Sequence, residues 1–235
     1  MIFESVDNIL LVDKPAGMSS FRVVSKIRGT IRTQIGTKLR EETGLKKIRV
    51  GHTGTLDPFA TGLLIILTGK NTKLSDEFLK KDKEYIATVK LGFSSTTDDP
   101  EGEIVPFNSE DILPIVPTEE EINEVLQKFT GEITQTPPIY SAIKIDGERA
   151  YKLARAGETP EMKPRNITIY DSELISYDYP FLTFKAHVSS GTYIRTLGKD
   201  IALALGTDGY LTELRRTKIA DYNIEDAYKL EDVVG

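Results

Sequence analysis

The chain has 235 residues, no cysteine, two histidines and a formal net charge of −6. That is length enough to bury a core, and it excludes disulfides and thiolate metal sites. No apolar run approaches the roughly 20 residues that span a membrane, and the N-terminus lacks the basic and apolar regions of a signal peptide, so a cytoplasmic protein is expected. The charge is uneven: nine Lys and Arg against two acids over residues 20–50, and ten acids with no cation over residues 98–124. Screening confines such fields to about 10 Å, so the basic stretch can meet a polyanion despite the acidic total.

In chain order, residues 9–12 read as a short buried strand ended by a Pro/Gly turn at 13–17. Ser19 or Ser20 then caps a helix on which Phe21, Val24, Ile27, Ile31 and Ile35 recur at three- and four-residue steps. Its other face carries Arg22, Lys26, Arg28 and Arg32. Gly36 ends it, and a basic connection runs from 37 to 49.

Next comes Gly51-His52-Thr53-Gly54-Thr55-Leu56-Asp57-Pro58-Phe59-Ala60-Thr61-Gly62, three glycines and a proline in twelve residues. The backbone must turn tightly there, and the apolar run 63–67 after it reads as a buried strand. An acid on such a loop is how a scaffold presents a reactive group. The spacing equally allows a structural turn whose Asp57 caps its own backbone.

Residues 71–81 look helical, with Leu74 and Phe78 inward. Residues 83–91 alternate as a strand, with Tyr85, Ala87, Val89 and Leu91 on one face. An acidic, turn-rich connection spans 94–106. Thr118-x-x-Glu121 is a capping box that opens a helix with Ile122, Val125, Leu126 and Phe129 on its core side and Gly131 as its stop. After Pro137-Pro138, Asp146-Gly147 predicts a hairpin turn, and 149–156 a short basic helix stopped by Gly157. Strands follow near 165–177 and 180–190. A helix presents Ile194, Leu197, Ile201 and Leu205, and a last strand lies near 210–219. The acidic tail from Asp221 reads as marginal. Strands and helices mix without βα alternation, so the class is α+β, in one domain over 1–235.

Several chemistries fall away. Gly62 and Gly69 are separated by six residues and Asn71 follows Lys70, which is not a Walker loop. His52 and His187 are unpaired in spacing, so no zinc site is expected. There is no nucleophile elbow. A glycoside hydrolase needs two carboxylates roughly 5–9 Å apart, and the loop offers one. What remains is a site without metal or cofactor, built on one carboxylate with Arg, Tyr and Lys as partners.

With Asp13-Lys14-Pro15-x-Gly17-x-Ser19-Ser20 before it, the Gly-rich loop closely resembles the TruB-type tRNA pseudouridine synthases, which isomerise uridine 55 in the T loop of tRNA. Further blocks follow in the family's order. They are Lys83-Glu84-Tyr85, Pro138-x-Tyr140-Ser141-Ala142-x-Lys144, Gly147-Glu148-Arg149-x-Tyr151-x-Leu153-Ala154-Arg155-x-Gly157, Gly191-Thr192-Tyr193-Ile194-Arg195-Thr196 and Leu214-Arg215-Arg216.

The resemblance implies a pseudouridine synthase fold, with a large mixed, mostly antiparallel sheet, flanking helices and an RNA-binding cleft. It implies Asp57 as catalytic aspartate, acting at C1′, at C6 or on the sugar. It implies Arg195 as the arginine that pairs with that aspartate, and Tyr85 as the tyrosine on the target base, a position that strand spacing alone reads as core. Leu214, Tyr193 and Lys14 match positions near the pocket. His52 matches the histidine that fills the space of the flipped base. Lys73, Lys144, Arg149 and Arg155 suit phosphates, with 137–160 as a mobile insertion that closes over RNA. The partner implied is the T arm of tRNA, with no cofactor, membrane or obligate protein partner.

Two departures stand out. The family's C-terminal PUA domain is not matched, so a short form is expected, and the basic connection at 36–48 is expected to replace part of the lost RNA contact. The other reading is a non-catalytic tRNA-binding or folding protein on the same scaffold, which would have no need of Asp57, Tyr85 and Arg195.

Overall fold

A computed structural model describes residues 5–34, 48–107 and 114–235. Two compact units emerge, residues 1–85 with 214–235, and residues 86–213. The chain passes between them within two strands, β4 and β12 below.

The first unit opens with β1 (Ile9–Lys14), α1 (Ser20–Gln34), β2 (Val50–His52) and β3 (Thr61–Thr68). A 3₁₀ turn at Gly69–Leu74 and α2 (Ser75–Leu79) lead into β4 (Lys83–Leu91). The second unit continues with β5 (Phe93–Ser95), β6 (Ile104–Pro106), α3 (Glu119–Phe129) and β7 (Gly131–Gln135). Then come β8 (Lys144–Ile145), β9 (Glu148–Arg149), α4 (Ala150–Arg155), β10 (Arg165–Asp178), β11 (Phe181–Val188) and α5 (Ile194–Ala204). Back in the first unit, β12 (Gly209–Ile219) is followed by β13 (Tyr222–Asn223), β14 (Tyr228–Lys229) and α6 (Leu230–Val234).

In the first unit the strand order is β14–β1–β3–β12, with β2 also on β3 and β13 on β12. β3 is antiparallel to β1 (Val12 opposite Leu64) and to β2 (His52 opposite Ile66), and parallel to β12 (Arg215 opposite Thr61). β3 is apolar on both faces because both are covered. Leu64 and Ile66 pack with Val23, Val24, Ile27 and Ile31 of α1, while Leu63, Ile65 and Leu67 pack with Phe78 and Ile219.

In the second unit β11, β10 and β7 form an antiparallel ladder, with α3 packed on β10. β4 alternates as its sequence demands, every second residue from Lys83 to Leu91 being buried. The Thr118 capping box forms with both of its reciprocal bonds. Asp146 and Gly147 take the positive φ angles (50° and 93°) of a two-residue hairpin turn. The class is α+β as expected, with mixed, mostly antiparallel sheet and flanking helices.

Three expectations need revision. Phe21 is 66% exposed, and Val23 takes its place in the core. The buried stripe of α1 starts from Ser20 and runs through 23, 24, 27 and 31, which turns position 21 about 100° away. The predicted helix over 71–81 splits into the 3₁₀ turn and α2, although Phe78 is buried as read. The acidic tail is not marginal, because Leu230 and Val233 on α6 are buried against α1. Ile35, Gly36 and the basic connection with Lys38, Arg40, Lys46 and Lys47 lie outside the described residues, apart from its last positions. No helix among the described residues is long and apolar enough to cross a membrane.

Candidate active site

In the first unit Asp57 sits on the loop between β2 and β3, half-buried, with the backbone pinned on either side of it. Before it, the Ser20 hydroxyl accepts from the Leu56 N–H at 2.8 Å and donates to the Leu56 carbonyl at 2.9 Å. After it, the Pro58 carbonyl accepts from the Gly17 N–H at 2.8 Å and from Lys14 Nζ at 3.3 Å. The Asp57 carbonyl itself accepts from the Ala60 N–H at 3.2 Å, which closes a turn. The block from Asp13 to Ser20 is therefore the cradle of the acid loop.

Lys14 is fully buried, and its ammonium also donates to the Pro15 and Met18 carbonyls at 2.9 and 2.6 Å. Three carbonyl acceptors satisfy a buried ammonium that would otherwise be costly. Lys14 thus braces the turn under the loop.

His52 ends β2, and its Nδ1 accepts the Gly54 N–H at 3.3 Å. Burial, and then the nearby Arg216 cation, hold its pKa below the ordinary value, so the ring is neutral at pH 7. Tyr85 is 9% exposed on β4, on the same face as Lys83. Leu214 and Arg216 are buried on β12, and Arg215 between them turns to the other face. There Arg215 forms a two-pronged pair with Asp13, at 2.7 and 3.1 Å. That pair, with Lys26, Lys229 and Leu230, borders a cleft of about 440 Å³ that neither Asp57 nor Tyr85 lines. Lys73 is exposed on the 3₁₀ turn.

In the second unit Arg195 lies in the first turn of α5, 4% exposed. Its Nη1 donates to Asp99 Oδ2 at 3.0 Å and to the Thr97 carbonyl at 2.8 Å, and Nη2 donates to the Tyr140 carbonyl at 2.7 Å. Asp99 is equally buried, and its other oxygen accepts from Thr97 Oγ1 and the Glu101 N–H. Buried charges need such pairing, and it leaves the guanidinium rigidly oriented. The neighbouring Tyr193 backbone is held by Gln135 through both its N–H (2.8 Å) and its carbonyl (3.1 Å). Lys144, Arg149 and Arg155 are exposed on the β8–β9 hairpin and α4. Arg149 donates to the Ala142 carbonyl and Arg155 lies over the Tyr151 ring.

Ser20, Arg216 and Asp99 are buried polar side chains around these candidate residues that sequence reasoning did not single out. Of the two serines that spacing allows as the helix cap, Ser19 takes the part by accepting from the Arg22 N–H, which leaves Ser20 for the loop. Asp99 lies inside an acidic run that reads as a solvated face. Among the described residues no cluster of His, Asp and Glu is arranged to hold a metal ion.

The family model for the TruB family pseudouridylate synthase N-terminal domain matches residues 40–194, and that for the tRNA pseudouridylate synthase B C-terminal domain matches 195–235. The tRNA pseudouridine synthase B of Phocaeicola vulgatus is 45% identical over 224 residues, 95% of this chain and 90% of that protein. Its counterpart in Francisella philomiragia is 42% identical, over 97% of this chain and 70% of that protein. Among solved structures, an H/ACA RNP bound to a substrate RNA containing 2′-deoxyuridine holds a similar chain, with a TM-score of 0.66 and 26% identity. The match covers 97% of this chain and 52% of that one, so this chain spans about half its length.

Proposed function

The chain belongs to the TruB family of pseudouridylate synthases, and on that premise we propose that it isomerises uridine to pseudouridine in tRNA, at position 55 of the T loop, with Asp57 as the catalytic carboxylate. The reaction breaks the C1′–N1 bond, turns the uracil and forms a C1′–C5 bond, while a proton leaves C5 and one is gained at N1. Atoms and electrons balance without an oxidant, reductant or second substrate. What the chemistry asks of the protein is a carboxylate beside the sugar and base, to attack C1′ or C6 or to take a sugar proton.

The observation that carries this reading is the double anchoring of the Asp57 loop at Leu56 and Pro58 by the block at 13–20. A carboxylate that reacts must be held to a fraction of an ångström, and a turn that merely capped itself would need no such cradle.

The remaining roles follow from residue type and setting. Tyr85 and Leu214 offer a flat ring and an apolar wall to a base. A base must leave its stack to react, at a cost of a few kcal/mol. His52, neutral because its pKa is lowered, suits the vacated space, since no charge is then placed among stacked bases. Arg195 is the cation that the family pattern pairs with the acid, and Tyr193 flanks it in the chain. Lys73, Lys144, Arg149 and Arg155 serve as phosphate contacts. A tRNA substrate fits the cytoplasmic location expected from the sequence.

The test is incubation with unmodified tRNA transcript, followed by digestion and nucleoside chromatography. Wild-type protein should convert one T-loop uridine, and Asp57→Asn none. Absence of product from the wild type would refute the assignment. Equal product from both would remove Asp57 from the chemistry and leave the assignment standing.

A further inference from the structure

Arg216 is 1% exposed, among the most buried large side chains of the molecule, and its hydrogen bonds go to backbone carbonyls. Nε donates to the Leu63 carbonyl at 2.7 Å, and Nη2 to the Gly54 carbonyl at 3.2 Å. Gly54 lies near the start of the loop that carries Asp57, and Leu63 is the third residue of β3, the strand into which that loop runs. One planar guanidinium therefore ties the start of that loop to the strand that follows it.

The backbone of Arg216 is held just as closely. A Cβ on Gly62 would collide with the backbone carbonyl oxygen and nitrogen of Arg216, because β3 and β12 pair at these two residues. Gly62 has φ +107° and Gly54 φ +134°, both in the region that side chains avoid. Gly62 thus lets β3 approach the β12 backbone at Arg216, and at Gly54 it is the φ angle that calls for glycine. The cation is also felt nearby, since it contributes to the lowered pKa values of His52 and Lys83.

We propose that Arg216 is a positioning residue for the reaction, clamping the start of the Asp57 loop to β3 so that the carboxylate keeps a single aim. This rests on the reading of Asp57 as the catalytic acid. Lysine cannot replace it, because a single ammonium lacks the fork that serves two separated acceptors. Arg216→Lys keeps the buried charge while removing the clamp, and Arg216→Gln removes the charge as well.

Three readouts are taken on wild type and both variants: single-turnover pseudouridine formation, tRNA affinity by filter binding, and amide hydrogen exchange of residues 53–63. Arg216→Lys should slow the chemical step at least tenfold, leave Kd within twofold, and speed exchange in the loop but not in β1 or β4. Should Arg216→Gln fail to fold, Arg216→Lys carries the test alone. Wild-type chemistry from Arg216→Lys would overturn the proposal, as would unchanged loop exchange or a loss that follows affinity alone. If the wild type makes no pseudouridine, the exchange comparison still decides whether the clamp exists, and the failure then belongs to the reading of Asp57.

Discussion

Ser20 and the backbone of Leu56 are joined twice, the hydroxyl accepting from the N–H at 2.8 Å and donating to the carbonyl at 2.9 Å. Ser20 is 1% exposed and Leu56 3%, so water does not replace either bond. One side chain from the first turn of α1 thereby fixes the residue immediately before Asp57.

Ser20→Ala leaves both the N–H and the carbonyl of buried Leu56 without their partner. An unsatisfied buried donor or acceptor costs about 1–3 kcal/mol, so the unfolding free energy should fall by an amount of that order and the urea midpoint with it. Activity should fall further than the fraction unfolded explains, because the released segment carries the acid. Thermal melts alongside single-turnover assays at a temperature where the variant is folded separate the two. A stable variant with full activity would deny the anchor its role.

Asp99 and Arg195 form a buried pair at 3.0 Å, with side chains 4% and 5% exposed. Removing one member of such a pair leaves an uncompensated charge, typically costing 3–5 kcal/mol. Asp99→Ala should therefore be strongly destabilised. Asp99→Asn, which can still accept from a guanidinium, should be milder. Both should lose pseudouridine formation, since Arg195 would no longer be held in one orientation. In a double-mutant cycle with Arg195→Met the two losses should be far from additive; additive losses would mean that the pair does not act as a unit.

How far the fold could be read in advance depended on whether its cause was local. β4 announced itself by strict alternation, the Thr118 box by four residues, and the Asp146-Gly147 turn by two. Val23 for Phe21 was a matter of helix phase, decided by where Ser20 points, and Ser20 points inward because of Leu56, thirty-six positions away. The tail misled because acids surround Leu230 and Val233, and only their packing on α1 shows them to be core. Asp99 looked like one acid among ten, and its partner lies ninety-six positions on. Arg216 was legible only as part of a matched block. Its two acceptors are backbone carbonyls, which leave no mark in a sequence.

Asp200, on α5, has a carboxyl pushed up to about 6 by burial first and by the Asp98 charge second, against the pull of Lys199. A carboxyl raised above its unfolded value is bound to its proton more tightly in the folded chain between pH 3.8 and 6. Its contribution to stability is therefore present at low pH and lost as pH rises through about 6. Asp200→Asn should raise the urea midpoint at pH 7.5 and change it little below pH 4. A uniform shift at both values would show that titration is not the cause.

Lys83 presents the opposite sign. It is 6% exposed, and its ammonium donates to the carbonyls of Phe78, Leu79 and Lys81 at 3.4, 2.8 and 2.5 Å, where α2 ends. Burial first, and then repulsion by Arg216, lower its pKa to about 8, with Asp82 opposing. Between about 8 and 10.5 the unfolded chain keeps a proton that the folded chain has released. Stability should therefore rise with pH across that window. Lys83→Met deletes the titration and also leaves the end of α2 uncapped, so it should be less stable than wild type at every pH. Its deficit should widen from pH 7.5 to 9.5, as wild type alone gains from releasing the proton. Urea midpoints of the two proteins at four pH values measure this directly. A deficit that does not widen as pH rises would show that the bonds to the three carbonyls keep Lys83 charged throughout, and that the ammonium, not the neutral amine, is the form that holds α2 to β4.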